Sequence, residues 1–279
     1  MHFLGKFINV LDKDMNTPEM YGWFHLLFVV LTVVTAIALY KAWKKPKEKT
    51  VRTIILIFSL LSILLEIYKQ FNYTFSYDGN VITADYQWYA FPFQFCSTPM
   101  YIGLFAALVK NQKIHKALCN YLATFSLFGG LCVMVYPAQV FIGTIGINIQ
   151  TMVCHGSMVA LGIYLLCSGY IELKHKTILP AIAVFAVIII SAIAMNETAH
   201  ITGLLERESF NMLYISPYCE PSLPVYSLVQ QVVPYPFCLI IYIASFSLAA
   251  YIMLLIAIGI NSINNKTKNQ KSNAYGLYP

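Results

Sequence analysis

The chain has 279 residues, of which 58% are hydrophobic and only 11% are charged, and its mean hydropathy is +0.65. Soluble domains carry about 25% charged residues, so this composition excludes an ordinary soluble protein and indicates an integral membrane protein. The formal net charge of +6 does not indicate a nucleic-acid partner, because the basic residues lie in short loops between apolar segments.

The first sixteen residues, MHFLGKFINVLDKDMN, have apolar side chains at helical spacing. These are Phe3, Leu4, Phe7, Ile8 and Leu11. The segment lacks the continuous apolar core of a cleavable signal peptide. It therefore predicts an amphipathic helix that lies on the membrane surface.

Seven apolar segments follow, each of about the 20 residues that a helix needs to cross the hydrocarbon core. They cover residues 20–43, 51–72, 88–109, 117–137, 148–170, 177–196 and 232–260. The sequence thus predicts an all-α membrane protein with a seven-transmembrane helix bundle. Residues 1–262 form its single domain, and residues 263–279 form a polar, disordered tail.

The distribution of lysine and arginine predicts the orientation of these spans. Fourteen of the 18 basic residues follow the first, third, fifth and seventh spans. The other four, on the opposite side, are Lys6, Lys13, Lys69 and Arg207. By the positive-inside rule, the N-terminus lies outside and the C-terminal tail is cytoplasmic. The external segment 197–231 is too long for a turn and predicts a lid or binding element.

Polar side chains at membrane depth are expensive and usually mark a functional site. Helical rise places His25, Glu66, Cys96, His155 and Asn196 in the outer half of five predicted spans. The cytoplasmic half holds almost no ionisable side chain. The pattern therefore predicts one polar cavity that opens outward and is closed towards the cytoplasm.

Two prolines flank one of these residues in PFQFCSTP, where Pro92 and Pro99 lie on either side of Cys96. Each proline removes a backbone donor from a helix. Membrane helices tolerate such breaks where the freed backbone lines a cavity. A kink that only improves helix packing is the alternative interpretation.

A thiol becomes a nucleophile when a neighbouring base removes its proton. His155 lies at a depth similar to that of Cys96 and is the candidate base. Glu66 could orient the imidazole, or it could pair with Lys69 three residues later. The hydroxyls of Ser97 and Thr98 are reserve nucleophiles, since they lie on the same broken segment.

Other polar residues and cysteines are assigned supporting or packing roles. His25, Glu66 and Asn196 could supply hydrogen-bond donors to an oxyanion or orient the imidazole. The seven cysteines contain no CxxC pair, so neither a disulfide framework nor a metal site is predicted. Cys119, Cys132, Cys154 and Cys167 are interpreted as packing residues. No nucleotide, flavin or other cofactor motif is present.

Several motifs, in this order, resemble those of the YwaF-like integral membrane proteins, whose eukaryotic relatives include transmembrane protein 164. They are GWFHLLF with His25, PFQFCSTP with Cys96, FGGLCVMVYPAQ, QTMVCHGSM with His155, and FNMLYISPY with Asn211 and Tyr214. Gln94 stands where many bacterial members have histidine. The resemblance implies a bacterial plasma membrane protein.

The same resemblance implies an acyltransferase that moves fatty acyl chains between phospholipids through Cys96 and His155. Its partners would be a membrane phospholipid or lysophospholipid, and water as acceptor would make it a lipid hydrolase. Gln94, Asn211 and Tyr214 would be supporting or substrate-binding residues. A transporter or receptor that binds a small polar ligand in the same outward cavity is the rival hypothesis, since seven spans alone do not establish function.

Overall fold

The computed structural model describes residues 2–203, 210–219 and 223–275. Arg207, which was assigned to the outer side, lies outside the described residues, as does the end of the tail. The helices are α1 (His2–Leu11), α2 (Trp23–Ala42), α3 (Glu48–Asn72), α4 (Thr98–Leu108), α5 (Gln112–Tyr121), α6 (Leu127–Val135), α7 (Ile145–Cys167), α8 (Ile178–Thr202), α9 (Pro224–Val232) and α10 (Tyr235–Tyr275).

Among the described residues, six helical stretches are long and apolar enough to cross a membrane. They are Trp23–Ala42, Glu48–Asn72, Gln112–Val135, Ile145–Cys167, His175–Thr202 and Tyr235–Thr267. Each overlaps one of the predicted spans, and together they support an integral membrane protein with a helical fold. The orientation of these helices remains a prediction.

The third predicted span, 88–109, is not a continuous helix. A short 3₁₀ turn at Trp88–Ala90 is followed by irregular backbone, and α4 has only 11 residues. A helix of that length is about 16 Å long, against a hydrocarbon core of about 30 Å. Pro99 lies in the first turn of α4, where its missing N–H leaves no helical bond unmade. The proline-framed segment is therefore broken rather than kinked, and the seven-span count is not confirmed.

The N-terminal helix is confirmed, and it packs on a small β hairpin that the sequence analysis missed. Gly5 and Ile8 face the protein, whereas Phe3 is 85% exposed. A Cβ atom at Gly5 would lie 2.6 Å from the ring of Tyr77. The hairpin pairs β1 (Phe75–Tyr77) with antiparallel β2 (Ile82–Ala84). A larger residue at position 5 would therefore require the ring of Tyr77 to move.

A short π-helix, Leu122–Ser126, joins α5 to α6, and all five of its residues are buried. The following helix, α6, packs closely against α7. A Cβ atom at Gly130 would lie 2.8 Å from the backbone oxygen of His155 and 2.9 Å from Cβ of Met158. Glycine at this position brings the two backbones together at the level of His155.

Arg52 holds the end of α4 against α3. Its Nη1 donates to the backbone oxygens of Ala106, Ala107 and Val109 at 3.0, 3.1 and 2.7 Å. These carbonyls end a helix and have no partner within it, and a cation there also complements the helix dipole. The short helix is thereby fixed beside α3.

The last helix, α10, is longer than the predicted seventh span, because it continues through Tyr275. The segment predicted as a disordered polar tail, 263–279, is therefore helical over its described part.

Candidate functional site

A cavity of about 330 Å³ lies between α3, α4, the π-helix and α7. Six of the predicted site residues line it, namely Glu66, Gln94, Cys96, Ser97, His155 and Tyr214. Four others do not line it, namely His25, Thr98, Asn196 and Asn211. Of the five residues that the depth argument places in one cavity, Glu66, Cys96 and His155 line it, whereas His25 and Asn196 do not.

Cys96 lies in the tight turn that precedes α4. The backbone oxygen of Gln94 accepts hydrogen bonds from the amides of Ser97 at 2.9 Å and Thr98 at 3.1 Å. The side chain of Cys96 is exposed and lines the cavity. The thiol thus lies next to the positive N-terminal end of a helix, which favours a thiolate.

His155, on α7, is buried and has one fixed nitrogen and one free nitrogen. Its Nδ1 lies 2.7 Å from the backbone oxygen of Thr151, so Nδ1 carries the proton and donates. Its Nε2 is buried and has no hydrogen-bond partner among the described residues. This tautomer leaves a lone pair on Nε2.

The Cys96 thiol and the imidazole of His155 line the same cavity, together with Lys69 and Glu66. The thiol and Nε2 approach without a hydrogen bond of normal geometry. Catalytic hydrogen bonds are often long in the absence of substrate.

Glu66 pairs with Lys69 rather than with His155. The Lys69 ammonium lies 2.8 Å from Oε1 of Glu66. Nε2 of Gln70 donates to the same carboxylate oxygen at 2.6 Å and to the backbone oxygen of Ala90 at 2.8 Å. Of the two roles that the sequence left open for Glu66, the structure shows the pairing with Lys69.

The segment 210–216 is clasped by two buried amide side chains. The Gln94 amide donates to the backbone oxygen of Asn211 at 2.9 Å and accepts from the amide of Leu213 at 3.0 Å. Asn196 makes the same double contact with the backbone of Met212, at 2.8 and 3.1 Å. Both side chains therefore fix the backbone of this segment. Gln94 also lines the cavity, whereas Asn196 does not.

This clasp holds an unusual backbone. Leu213 and Tyr214 have φ angles of +57° and +58°, a left-handed conformation that costs energy for residues other than glycine. Tyr214 lines the cavity, and its hydroxyl makes no hydrogen bond to a described residue. Burial, followed by the nearby Cys96, raises the pKa of Tyr214, so the hydroxyl remains a hydrogen-bond donor at neutral pH.

The remaining predicted residues have structural partners. His25 is fully buried, where Nδ1 accepts from the amide of Tyr21 at 3.0 Å and Nε2 donates to the oxygen of Met134 at 2.9 Å. The Thr98 hydroxyl is 3.1 Å from both the oxygen of Phe95 and the hydroxyl of Tyr121. The carboxamide oxygen of Asn211 accepts from the amide of Ser216. The predicted role of His25 at the cavity is therefore not supported.

Sequence analysis missed several lining residues. One is Cys154, which was interpreted as packing but lines the cavity beside His155. Others form, together with the predicted Glu66, a polar stripe on one face of α3: Ser59, Ser62, Lys69 and Tyr73. Their spacing of three or four residues in an otherwise apolar span was a detectable signal of a shared helix face. Burial raises the pKa of Tyr73, at the end of this stripe, to about 12.

Among the described residues, no group of three or more His, Cys, Asp or Glu side chains could hold a metal ion. The side chains in the cavity that are candidates for chemistry are a thiol, that of Cys96, and an imidazole, that of His155.

Comparison with known proteins gives one family and no closer relative. No curated protein and no solved structure matches the chain significantly. The TMEM164 family matches residues 20–256, which include the cavity and the helices that build it. The chain therefore belongs to the TMEM164 family of membrane proteins.

Proposed function

We propose that the protein is a membrane-embedded lipid acyltransferase or transacylase, which moves a fatty acyl chain between phospholipids through Cys96 and His155. One observation carries the proposal. The contact of Nδ1 with Thr151 fixes the ring of His155, and Nε2 has no hydrogen-bond partner among the described residues. His155 and Cys96 line the same cavity.

In the first half-reaction, Nε2 of His155 takes the thiol proton as Cys96 Sγ attacks the ester carbonyl carbon. The carbon–sulfur bond forms, the carbon–oxygen bond to the lipid breaks, and the Nε2 proton passes to the departing alkoxide. The products are a thioester on Cys96 and a lysolipid.

In the second half-reaction, His155 removes a proton from the hydroxyl of an acceptor lysolipid. That oxygen attacks the thioester carbonyl, the carbon–sulfur bond breaks, and the thiolate of Cys96 recovers the proton from His155. Water in place of the lysolipid would make the protein a lipid hydrolase.

Negative charge develops on the carbonyl oxygen in both steps and needs a donor. Tyr214 lines the same cavity, its hydroxyl has no hydrogen bond to a described residue, and the clasp of Gln94 on the segment 210–216 holds it there. We assign this hydroxyl as a donor to the oxyanion. His25, which was a sequence-based candidate for the role, already uses both ring nitrogens elsewhere.

The cavity size agrees with a reaction at the lipid ester. A volume of about 330 Å³ is near the lower end for ligand pockets. It is smaller than a phospholipid with two long acyl chains. The reacting ester and the glycerol would occupy the cavity from the outer half of the bilayer, while the chains extend between helices into the lipid.

The test is detection of the covalent intermediate. The purified protein is incubated with mixed phospholipids and analysed by intact-protein and peptide mass spectrometry under mildly acidic conditions. We expect an acyl adduct on Cys96 that accumulates without acceptor, is released by hydroxylamine, and decreases when lysophospholipid is added.

Variants locate the chemistry. Cys96→Ala and His155→Ala should each abolish the adduct and the lipid turnover while retaining a normal thermal unfolding profile. Cys154→Ala is the matched control, because it removes a thiol from the same cavity next to His155 and should retain the adduct. No adduct, an unreactive Cys96 and no lipid turnover would favour a transporter or receptor instead.

A further inference from the structure

The cavity is polarised along α3. Its charged end is formed by Glu66 and Lys69, with Tyr73 beyond them, whereas Phe58 lies at the other end of the stripe. Deeper apolar lining comes from Leu122 and Leu161. A ligand with one charged and one apolar end would therefore have a defined direction in this cavity.

Cys96 and His155 line this cavity together with Ser62, Glu66 and Lys69 of α3. Glu66 and Lys69 follow Ser62 by four and seven residues, which corresponds to about 6 and 10 Å along the axis. In a glycerophospholipid, only the few bonds of the glycerol separate the phosphate from the acyl ester. An ester at Cys96 thus places the phosphate near Lys69.

Among the described residues, Lys69 is the only lysine or arginine that lines the cavity. Its ammonium has three N–H donors, and its one contact with a described residue is the ion pair with Glu66. Glu66 is itself anchored by Gln70, which also binds the backbone at Ala90. The lysine is therefore held at a fixed position with donors left for an incoming anion.

We propose that Lys69 binds the phosphate group of the lipid head group and so positions the ester at Cys96. This inference rests on the proposed function, and it adds a subsite for the part of the substrate that does not react. Glu66 keeps the empty subsite neutral and competes with the phosphate for the ammonium. Its carboxylate therefore weakens phosphate binding while it orders the lysine.

The competition predicts opposite signs for two substitutions. Glu66→Gln keeps a hydrogen-bonding side chain but releases the ammonium, so affinity for a phosphate-containing lipid should rise. The double variant Glu66→Gln/Lys69→Met removes both charges, leaves no unpaired carboxylate, and should lower that affinity roughly tenfold or more. If Lys69 were needed only for folding, the two variants would not change lipid affinity in opposite directions.

The experiment measures binding in the Cys96→Ala background, so that acyl transfer does not interfere. Two probes with the same labelled acyl chain are compared in nanodiscs, lysophosphatidylglycerol and monoacylglycerol, which differ by the phosphoglycerol. We expect tighter binding of the phospholipid, a gain for Glu66→Gln, a loss for the double variant, and unchanged binding of monoacylglycerol throughout. Lys69→Arg should retain most of the preference.

Equal affinity for the two probes, or equal loss of both in the double variant, would overturn the assignment. Displacement of lysophosphatidylglycerol by millimolar inorganic phosphate, with no contribution from the acyl chain, would assign the subsite to free phosphate instead. Because binding is measured without Cys96, its failure leaves the covalent adduct test intact. Conversely, if no acyl adduct forms on Cys96, the binding assay can still show whether affinity depends on the phosphate. The two failures can therefore be told apart.

Discussion

Replacing Gln94 with methionine removes both hydrogen bonds through which its amide holds the segment 210–216 while conserving side-chain length. The backbone oxygen of Asn211 and the amide of Leu213 would then be buried without partners. Leaving a buried polar group unsatisfied costs about 1–3 kcal/mol, so the two together cost about 2–6 kcal/mol.

Local opening of the segment 210–216 relieves this cost with the smallest loss of other contacts. Leu213 and Tyr214 are in left-handed backbone conformations, and their release recovers about 1–3 kcal/mol of strain each. The segment should therefore detach from the Gln94 side of the clasp while the helices remain folded. Tyr214 would then leave its position at the cavity, and acylation of Cys96 should slow.

Hydrogen–deuterium exchange of the peptide that contains Leu213 measures this opening. A loss of about 2 kcal/mol of protection accelerates exchange roughly thirtyfold. Gln139→Met is the matched control, because that side chain lines the same cavity but makes no hydrogen bond to a described residue. If exchange near Leu213 is the same in Gln94→Met and in the control, the amide does not hold the segment and the reasoning is refuted.

Two further substitutions test the packing and the chemistry. Gly130→Ala places a Cβ atom 2.8 Å from the backbone of His155, so it should lower stability by about 1–3 kcal/mol and slow acylation of Cys96. Gly259→Ala is the control, because a Cβ atom there has nothing within 4 Å. It should be neutral or slightly stabilising in the same thermal unfolding assay. Tyr214→Phe keeps the ring and removes the hydroxyl, so the rate of thioester formation should fall by roughly one to three orders of magnitude with little change in lipid binding. Unchanged single-turnover rates in Tyr214→Phe would exclude its hydroxyl as an oxyanion donor.

The six continuous spans could be predicted because long apolar runs leave no alternative to a helix in lipid. The break before α4 could be located from Pro92 and Pro99, but not its extent, since local sequence does not show whether a proline kinks a helix or begins one. The hairpin had a readable signal that was missed, because Asp78-Gly79 is a turn sequence flanked by residues that favour strands.

The candidate site shows what helical rise can and cannot predict. Depth alone correctly brings Cys96 and His155 to one cavity, because both are counted from the outer ends of their segments. Rotation about the helix axis is set by tertiary packing and was not available. His25 consequently has a suitable depth but faces the backbone of Met134, and Lys69, which seemed only a local partner of Glu66, lines the cavity.

The π-helix between α5 and α6 accommodates one residue more than an α-helical turn would hold. Each residue of an uninterrupted α-helix turns the chain by about 100°, so straightening this segment with no residue removed would rotate α6 by about that angle relative to Tyr121. Gly130 would then no longer face the backbone of His155. The wide turn is therefore a constraint on the site that no individual side chain carries.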